Sequence, residues 1–326
     1  MDVNNVGASD LKVSKIGLGT SMWGIRVDER NAADQLKVFA DAGGSLLDTA
    51  DVYGLGAAEG IIGQLLGKVI SRDSIVLATK AGGSLAGPAA PPDASRAHLV
   101  KALDQSLRNL RTDRIDLWQI HRWDPAHPFE ETLSAIDWAL STGRARYAGV
   151  SNYSGWQTMK AAQSQAAGGG SPLVATQVEY SLIERGIERE VLPAAMDQGM
   201  SIIAWAPLGR SVLCGKYRSG VPEARAGDAF FKFYVRPFLD ERSSRIVESV
   251  AGVAQRLSAT PAAVAVAWVT ARPAVSSAVI GASSAAQLRE TLDGASLTLP
   301  ADTVQLLNSV SAPYIGAPET SWAVPQ

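Results

Sequence analysis

Asp48, Tyr53, Lys80 and His121 are the residues of this chain whose types and spacing could do chemistry together. Asp48 and Tyr53 lie in LLDTADVY (46–53), an apolar run that stops at a carboxylate and continues into a Gly-rich loop. Ile75–Thr79 runs into Lys80, and Ile115–Ile120 runs into His121. A phenol can give its proton to an oxygen on which negative charge develops, but a free phenol titrates near about 10. A neighbouring ammonium favours the phenolate. Lys80, held by Asp48, is therefore expected to bring Tyr53 closer to neutral pH, where general-acid catalysis is most effective. His121 can donate a hydrogen bond that orients and polarises a carbonyl. Each residue alone has an ordinary reading: a strand-end ion pair, a hydrogen-bonded structural histidine, a loop aromatic. Four such groups at three successive strand ends point to a reaction.

For the four to meet, the strands must be parallel and open on one face. The pattern supplies that arrangement. Short apolar runs are expected as strands at 16–20, 45–48, 75–80, 115–121, 146–150, 173–178, 201–205 and 277–280. Amphipathic stretches at 29–42, 59–66, 95–110, 128–140, 154–165, 188–198, 241–257, 261–271 and 284–293 are expected as helices between them. Strand and helix alternate about eight times, which argues for βαβ units, and the near-continuous apolar strands suit burial on both faces. A doubly wound sheet is the rival, but no strand–GxGxxG–helix unit with a following acid is present. The expected fold is an α/β (β/α)8 TIM barrel, one domain over residues 1–326. A hairpin at 3–13, turned at Gly7–Asp10, would close its floor, with an extra helix at 301–310. Active sites of such barrels sit at the carboxyl ends of the strands. The stretch 207–237 and the tail after Ala312 read as irregular.

Composition narrows the function. A net charge of −2 over 326 residues leaves no basic footprint for nucleic acid. With Cys214 the single cysteine, no intrachain disulfide can form and a reducing compartment fits. The polar N-terminus lacks a signal pattern, and no apolar run approaches the ~18 residues of a membrane span. A cytoplasmic protein, monomer or homo-oligomer, is expected, with no metal and no membrane partner.

Several motifs are similar to those of the aldo-keto reductase family. They are LLDTADVYGLGAAEGIIGQLL (46–66), ATKAG (78–82), IDLWQIHRWDP (115–125), GVSNYS (149–154), TQVEYSLIER (176–185), IIAWAPLGRSVLCGKY (202–217) and VIGASSAAQLRET (279–291). The resemblance covers nearly the whole chain in order. It implies NAD(P)H-dependent oxidoreduction on a (β/α)8 barrel, with Asp48, Tyr53, Lys80 and His121 as the catalytic tetrad and Tyr53 as proton donor. It implies that Ser151, Asn152 and Gln177 bind the nicotinamide carboxamide and that Trp205 stacks on its ring. Pro207, Leu208, Gly209, Arg210 and Lys216 would lie over the pyrophosphate. Gly281, Ser283, Gln287, Glu290 and Thr291 fall in the segment that grips the adenosine 2′-phosphate. Here the chain departs from the family: Ala282-Ser283-Ser284 stands where Lys or Arg is common, and Thr291 where Asn is usual. Ser211 replaces a usual Gly, and Cys214 a usual Thr. NADP is expected, with NAD as the alternative.

The expected substrate is a small to medium aldehyde or ketone reduced to an alcohol, or the alcohol in reverse. Trp23 and Trp123 would wall the pocket, with Phe230, Phe231, Phe233 and Tyr234 above and the Gly82–Pro92 loop at the mouth. Two other functions compete. The family contains redox-sensing potassium-channel β subunits, for which retention of the tetrad is neutral evidence. An aldolase could use Lys80 as a Schiff base, but Asp48 beside it would keep the amine protonated.

Overall fold

The computed structural model describes residues 1–84, 90–223 and 227–313. The expected irregular tail (314–326), the tip of the loop after Lys80 (85–89) and the side chain of Phe230 lie outside the described residues.

Eight parallel strands close a barrel: β3 (Ile16–Gly19), β4 (Leu46–Asp48), β5 (Val76–Ala81), β6 (Ile115–Ile120), β7 (Ala145–Ser151), β8 (Leu173–Glu179), β9 (Ser201–Trp205) and β10 (Val275–Ile280). Each pairs with its sequence neighbours, and β10 returns to β3. β6 and β10 are buried at every position, as apolar strands between an inner and an outer core must be. Small residues let the strands approach: a Cβ on Gly149 would lie 2.7 Å from the Ala175 carbonyl oxygen.

The hairpin strands β1 (Val3–Asn5) and β2 (Lys12–Ser14) close the floor. Gly7 N donates to Ser201 Oγ at 3.0 Å and Ala8 N to the Gly199 carbonyl at 2.8 Å. Val6, Leu11 and Val13 join Leu46, Ala78, Leu117 and Ile203 in the barrel interior. The floor is thus plugged with apolar side chains, and Asp48 and Lys80 lie at the opposite, carboxyl end.

The outer ring holds α1 (Glu29–Asp41), α2 (Ala57–Leu65), α3 (Arg96–Leu110), α4 (Phe129–Ser141), α5 (Gly155–Ala167) and α6 (Val191–Asp197). Short polar residues fix where three of these start, because their side chains accept from otherwise orphaned N–H groups. Asp28 caps α1, Ser95 caps α3, and Ser154 with Gln157 forms a reciprocal capping box on α5. The stretch after β9 is less irregular than its sequence suggests. It contains a 3-10 turn at Val212–Cys214, α7 (Ala229–Tyr234) and a second 3-10 turn at Arg236–Phe238. Then come α8 (Glu241–Arg256), α9 (Pro261–Thr270), α10 (Ala285–Leu292) and the extra helix α11 (Ala301–Val310). No single described helix is long and apolar enough to cross a membrane.

Candidate active site

The strand ends bring the four expected residues together. Asp48 is the last residue of β4 and is 2% exposed; Lys80, near the end of β5, is 1% exposed. Lys80 Nζ donates to Asp48 Oδ1 at 2.9 Å, Asp48 Oδ2 at 2.8 Å and the Thr49 carbonyl at 2.8 Å. Three acceptors thus surround an ammonium with three protons. Gln177 reaches in from β8, on the opposite side of the ring, and donates to Asp48 Oδ1 at 2.7 Å. Tyr53 begins a 3-10 turn, Tyr53–Gly56, just beyond β4. Its ring centre lies 5.3 Å from Lys80 Nζ and 5.9 Å from that of His121, edge to face at 83°.

Burial sets the electrostatics. It would depress the Lys80 ammonium, but the Asp48 carboxylate and the Tyr53 phenol, through charge and hydrogen bonding, together outweigh it and raise Lys80 above its ordinary value. Burial pushes His121 down to about 3, helped by the charges of Lys80 and Arg122, so the imidazole is neutral at physiological pH. Its Nδ1 is buried without a hydrogen-bond partner among the described residues. Burial also raises the Tyr53 phenol, and Lys80 offsets this only in part. The sequence-based expectation for Tyr53 is therefore corrected: its proton is held more tightly than a free phenol's, because desolvation of the phenolate outweighs the nearby ammonium. Tyr53 is a donor that stays loaded through the physiological range.

The ends of β7, β8 and β9 carry a second set of polar groups. Ser151 Oγ donates to the Gln177 carbonyl at 2.9 Å. Asn152, held at a left-handed φ of 57°, donates through Nδ2 to Ser151 Oγ and the His121 carbonyl, both at 3.1 Å. Trp205 Nε1 donates to Asn152 Oδ1 at 3.0 Å. A hydroxyl, two primary amides and a flat indole thus meet beside the tetrad. That donor set fits an aromatic ring bearing a carboxamide. Beyond Trp205 the chain turns sharply: Ala206, Gly209, Arg210 and Ser211 all have φ between 50° and 73°. Pro207, Leu208 and Gly209 are buried there, and Lys216 is exposed. Past β10, Gly281 and Glu290 are exposed and Thr291 is buried with its hydroxyl on the Gln287 carbonyl at 3.0 Å. Ser283 donates through N and Oγ to Gln287 Oε1, at 2.9 and 2.7 Å.

Comparison with known proteins agrees with this geometry. A profile described as "Aldo/keto reductase family" matches residues 15–312. This chain belongs to the aldo/keto reductase family. It is 33% identical over 319 residues to "Uncharacterized oxidoreductase YrpG" of Bacillus subtilis (strain 168), covering 95% of this chain and 96% of that one. It is 32% identical over 318 residues to "Probable voltage-gated potassium channel subunit beta" of Oryza sativa subsp. japonica, covering 96% of each. It is 30% identical over 329 residues to "Aldo-keto reductase YhdN" of Bacillus subtilis (strain 168), covering 98% of this chain and 96% of that one.

Two expected positions of this family member need correction. Trp23 is 1% exposed and points its Nε1 at Gln35 Oε1, 3.4 Å away on α1. It is a core residue with no face left for a ligand. Arg210 does not project a free cation: its guanidinium grips Glu179 and the Tyr234 carbonyl. Trp123 is half-buried and stacks on Phe129 at 4.8 Å, edge to face with Tyr153 and Trp156, on the α4–α5 side of the mouth. The aromatic run on α7 divides: Phe231 is buried, Phe233 is exposed, and Tyr234 lies close enough to Tyr53 to influence its phenol.

Sequence reasoning passed over four residues at the site. Glu179 ends β8, the same strand-end signal that marks Asp48 and His121. Arg122 follows His121 directly. Asn31 and Gln35 of α1 donate to the carbonyls of Ser283 and Ala282 at 2.8 and 3.2 Å, tying the segment after β10 to the neighbouring helix. Nothing in a helix's polar face announces such a contact.

Proposed function

We propose that this chain reduces an aldehyde or ketone to an alcohol, with Tyr53 giving the proton to the carbonyl oxygen. The observation that carries the reading is the convergence of a loaded phenol, a carboxylate-anchored ammonium and a neutral imidazole at one barrel mouth. A bound reduced nicotinamide would supply the hydride. Ser151, Asn152 and Gln177 would hold its carboxamide and Trp205 its ring. His121, uncharged, donates a hydrogen bond to the substrate oxygen without adding a second full positive charge beside Lys80. As negative charge grows on that oxygen, the Lys80 ammonium stabilises the phenolate that Tyr53 becomes. Asp48 keeps the ammonium charged and in place. In reverse, the same phenolate takes the alcohol proton.

NADPH is the preferred dinucleotide in this reading, with NADH accepted. The segment 281–291 offers a 2′-phosphate the Ser283 and Ser284 hydroxyls, the start of α10 and Gln287 rather than a buried cation. Arg289 is exposed and faces a groove shared with Lys37. Without a charge-assisted bond, a preference of no more than about tenfold is expected. A cytoplasmic location belongs to the same reading.

The test is the initial rate of NADPH and NADH oxidation against a panel of aldehydes, ketones and sugars, with Tyr53→Phe alongside. Turnover that collapses in Tyr53→Phe while NADPH still binds supports the proposal. Undiminished turnover in that variant would overturn the role of Tyr53. A redox-sensing role is the second reading, favoured by the likeness to the rice channel β subunit; tight NADPH binding with no turnover across the panel would favour it.

A further inference from the structure

We infer that Arg210 is a positioning residue: clasped by Glu179, it sets the indole of Trp205 and the aromatic wall of Tyr234 and Phe238 at the barrel mouth, and it does not ligate the dinucleotide phosphates. The inference rests on the reductase reading for what lies against Trp205, and on the clasp itself for the rest.

Arginine has five N–H donors in a rigid fork. Here Nε and Nη2 bind the two oxygens of Glu179 at 2.8 and 2.6 Å, a bidentate pair, and Nη1 binds the Tyr234 carbonyl at 2.9 Å. The guanidinium carbon lies 4.6 Å from the ring centre of Phe238, 5.2 Å from Tyr234 and 5.5 Å from Trp205. One side chain thus joins three segments: the end of β8, the turn after β9 and the end of α7 with the following 3-10 turn. Both partners are largely buried, with side-chain exposures of 20% and 15%.

The backbone agrees. Ala206, Arg210 and Ser211 sit at φ values of 50°, 56° and 73°, a region costly for residues with a Cβ. Such conformations persist where the surroundings over-determine them, and the Glu179 fork does so at Arg210. A phosphate drawn to this fork would also meet the Glu179 carboxylate, which repels it. The consequence for the reaction is indirect. Trp205 Nε1 holds Asn152 Oδ1, and Asn152 holds Ser151 and the His121 carbonyl. A shift of the guanidinium would therefore pass through Trp205 into the groups proposed to hold the nicotinamide.

Arg210→Met, Glu179→Gln and the double variant separate this role from phosphate binding, because the two assign opposite signs to Glu179. Fluorescence titration with NADPH, and with 2′-phospho-ADP-ribose, which has the phosphates but no nicotinamide, is the measurement. On the clasp reading both single variants weaken NADPH, Arg210→Met by about tenfold, the order of a charged hydrogen bond. The double variant loses no more than the worse single, Arg210→Lys recovers part of the loss, and the fragment's affinity changes less than about twofold. A phosphate-ligand role predicts that Arg210→Met weakens both ligands equally and that Glu179→Gln tightens both; that result overturns the inference. Amide hydrogen exchange of the free protein gives an arm that needs no ligand. Faster exchange across 229–238 in both single variants supports the clasp, and unchanged exchange in both counts against it. Failure of the unmodified chain to bind NADPH would instead sink the reductase reading, and the exchange result would still decide the clasp.

Discussion

Gln177 donates to Asp48 at 2.7 Å across the barrel, from the strand opposite in the ring. The carboxylate that anchors Lys80 is therefore itself gripped from the far wall. Asp48 accepts from an ammonium on one side and an amide on the other, and both partners are nearly inaccessible to solvent. Such an ion is tolerable in a core only because its charge and its lone pairs are both matched.

The two partners can be separated by substitution. Gln177→Met removes one hydrogen bond to a buried charge and is expected to cost roughly 1.5–3 kcal/mol of stability. Asp48→Asn leaves Lys80 buried without its counter-ion and is expected to cost more, roughly 3–5 kcal/mol. The pH dependence should also change sign. In the unmodified protein Lys80 is raised above its ordinary value, so its contribution is intact below about 10.4 and is lost as pH rises past that point. In Asp48→Asn the carboxylate that opposes burial is gone, and burial, the largest influence on the amine, depresses it, so the variant regains stability as pH climbs from 7 towards 10. Urea unfolding at pH 7 and 9.5 compares the two; parallel slopes for both proteins would refute the pairing.

His121, at about 3, and Tyr53, above its ordinary value, leave neither group to titrate between pH 5 and 9. The pH profile of kcat/KM for carbonyl reduction is expected to lack an inflection near 6.5, the value of a solvent-exposed imidazole. For stability the sign is that of a depressed base: the folded chain binds fewer protons than the unfolded one, so stability falls as pH drops from about 6.5 towards 3. An inflection near 6.5 that disappears in His121→Asn would show the imidazole to be hydrated.

Much of this site is legible in the sequence because strand ends are legible. An apolar run buried on both faces must terminate where polarity begins, and in a parallel barrel all such termini share one face, so Asp48, Lys80 and His121 can be placed together. Residues on turns are harder. Trp23 and Arg210 both follow strands, yet one turns into the core and the other onto Glu179, because side-chain direction after a turn is set by φ values that periodicity does not encode. The Arg210–Glu179 pair spans 31 residues and exists only once β8 and β9 lie side by side. The short helix α7 reads as loop because its six residues are too few to display a helical period.

Asp51, two residues before Tyr53, supplies an independent test of the site's polarity. Burial, and after it the charge of Glu59, pushes its carboxyl up to about 7. An acid whose folded value is raised costs stability once ionised, so the penalty is absent below the unfolded value near 3.9 and complete above about 7. Asp51→Asn mimics the neutral form. It is expected to leave the thermal midpoint unchanged at pH 4 and to raise it at pH 8. A carboxylate well solvated in the native chain would give no difference between the two pH values. Should kcat/KM of the unmodified protein inflect near 7, loss of that inflection in Asp51→Asn would assign it here.

The floor hairpin can be tested apart from the chemistry. Gly7 has φ +57°, and a Cβ there would lie 2.4 Å from the Gly199 carbonyl oxygen and 2.6 Å from that of Val174. Both obstacles are backbone, so the hairpin must move if Gly7 becomes Ala, and with it Val6, Leu11 and Val13 from the barrel interior. Gly67 makes the control: its φ is +78°, and a Cβ there would meet nothing within 4 Å among the described residues. Gly67→Ala should cost only the left-handed strain, about 1–2 kcal/mol. Gly7→Ala should cost that plus lost burial, where one buried aliphatic side chain alone is worth roughly 1.5–3 kcal/mol. Turnover per folded molecule should be unchanged in both, because the plug lies at the end of the barrel away from Asp48 and Lys80. Equal losses of stability in the two variants would mean that the hairpin yields freely and does not plug the floor.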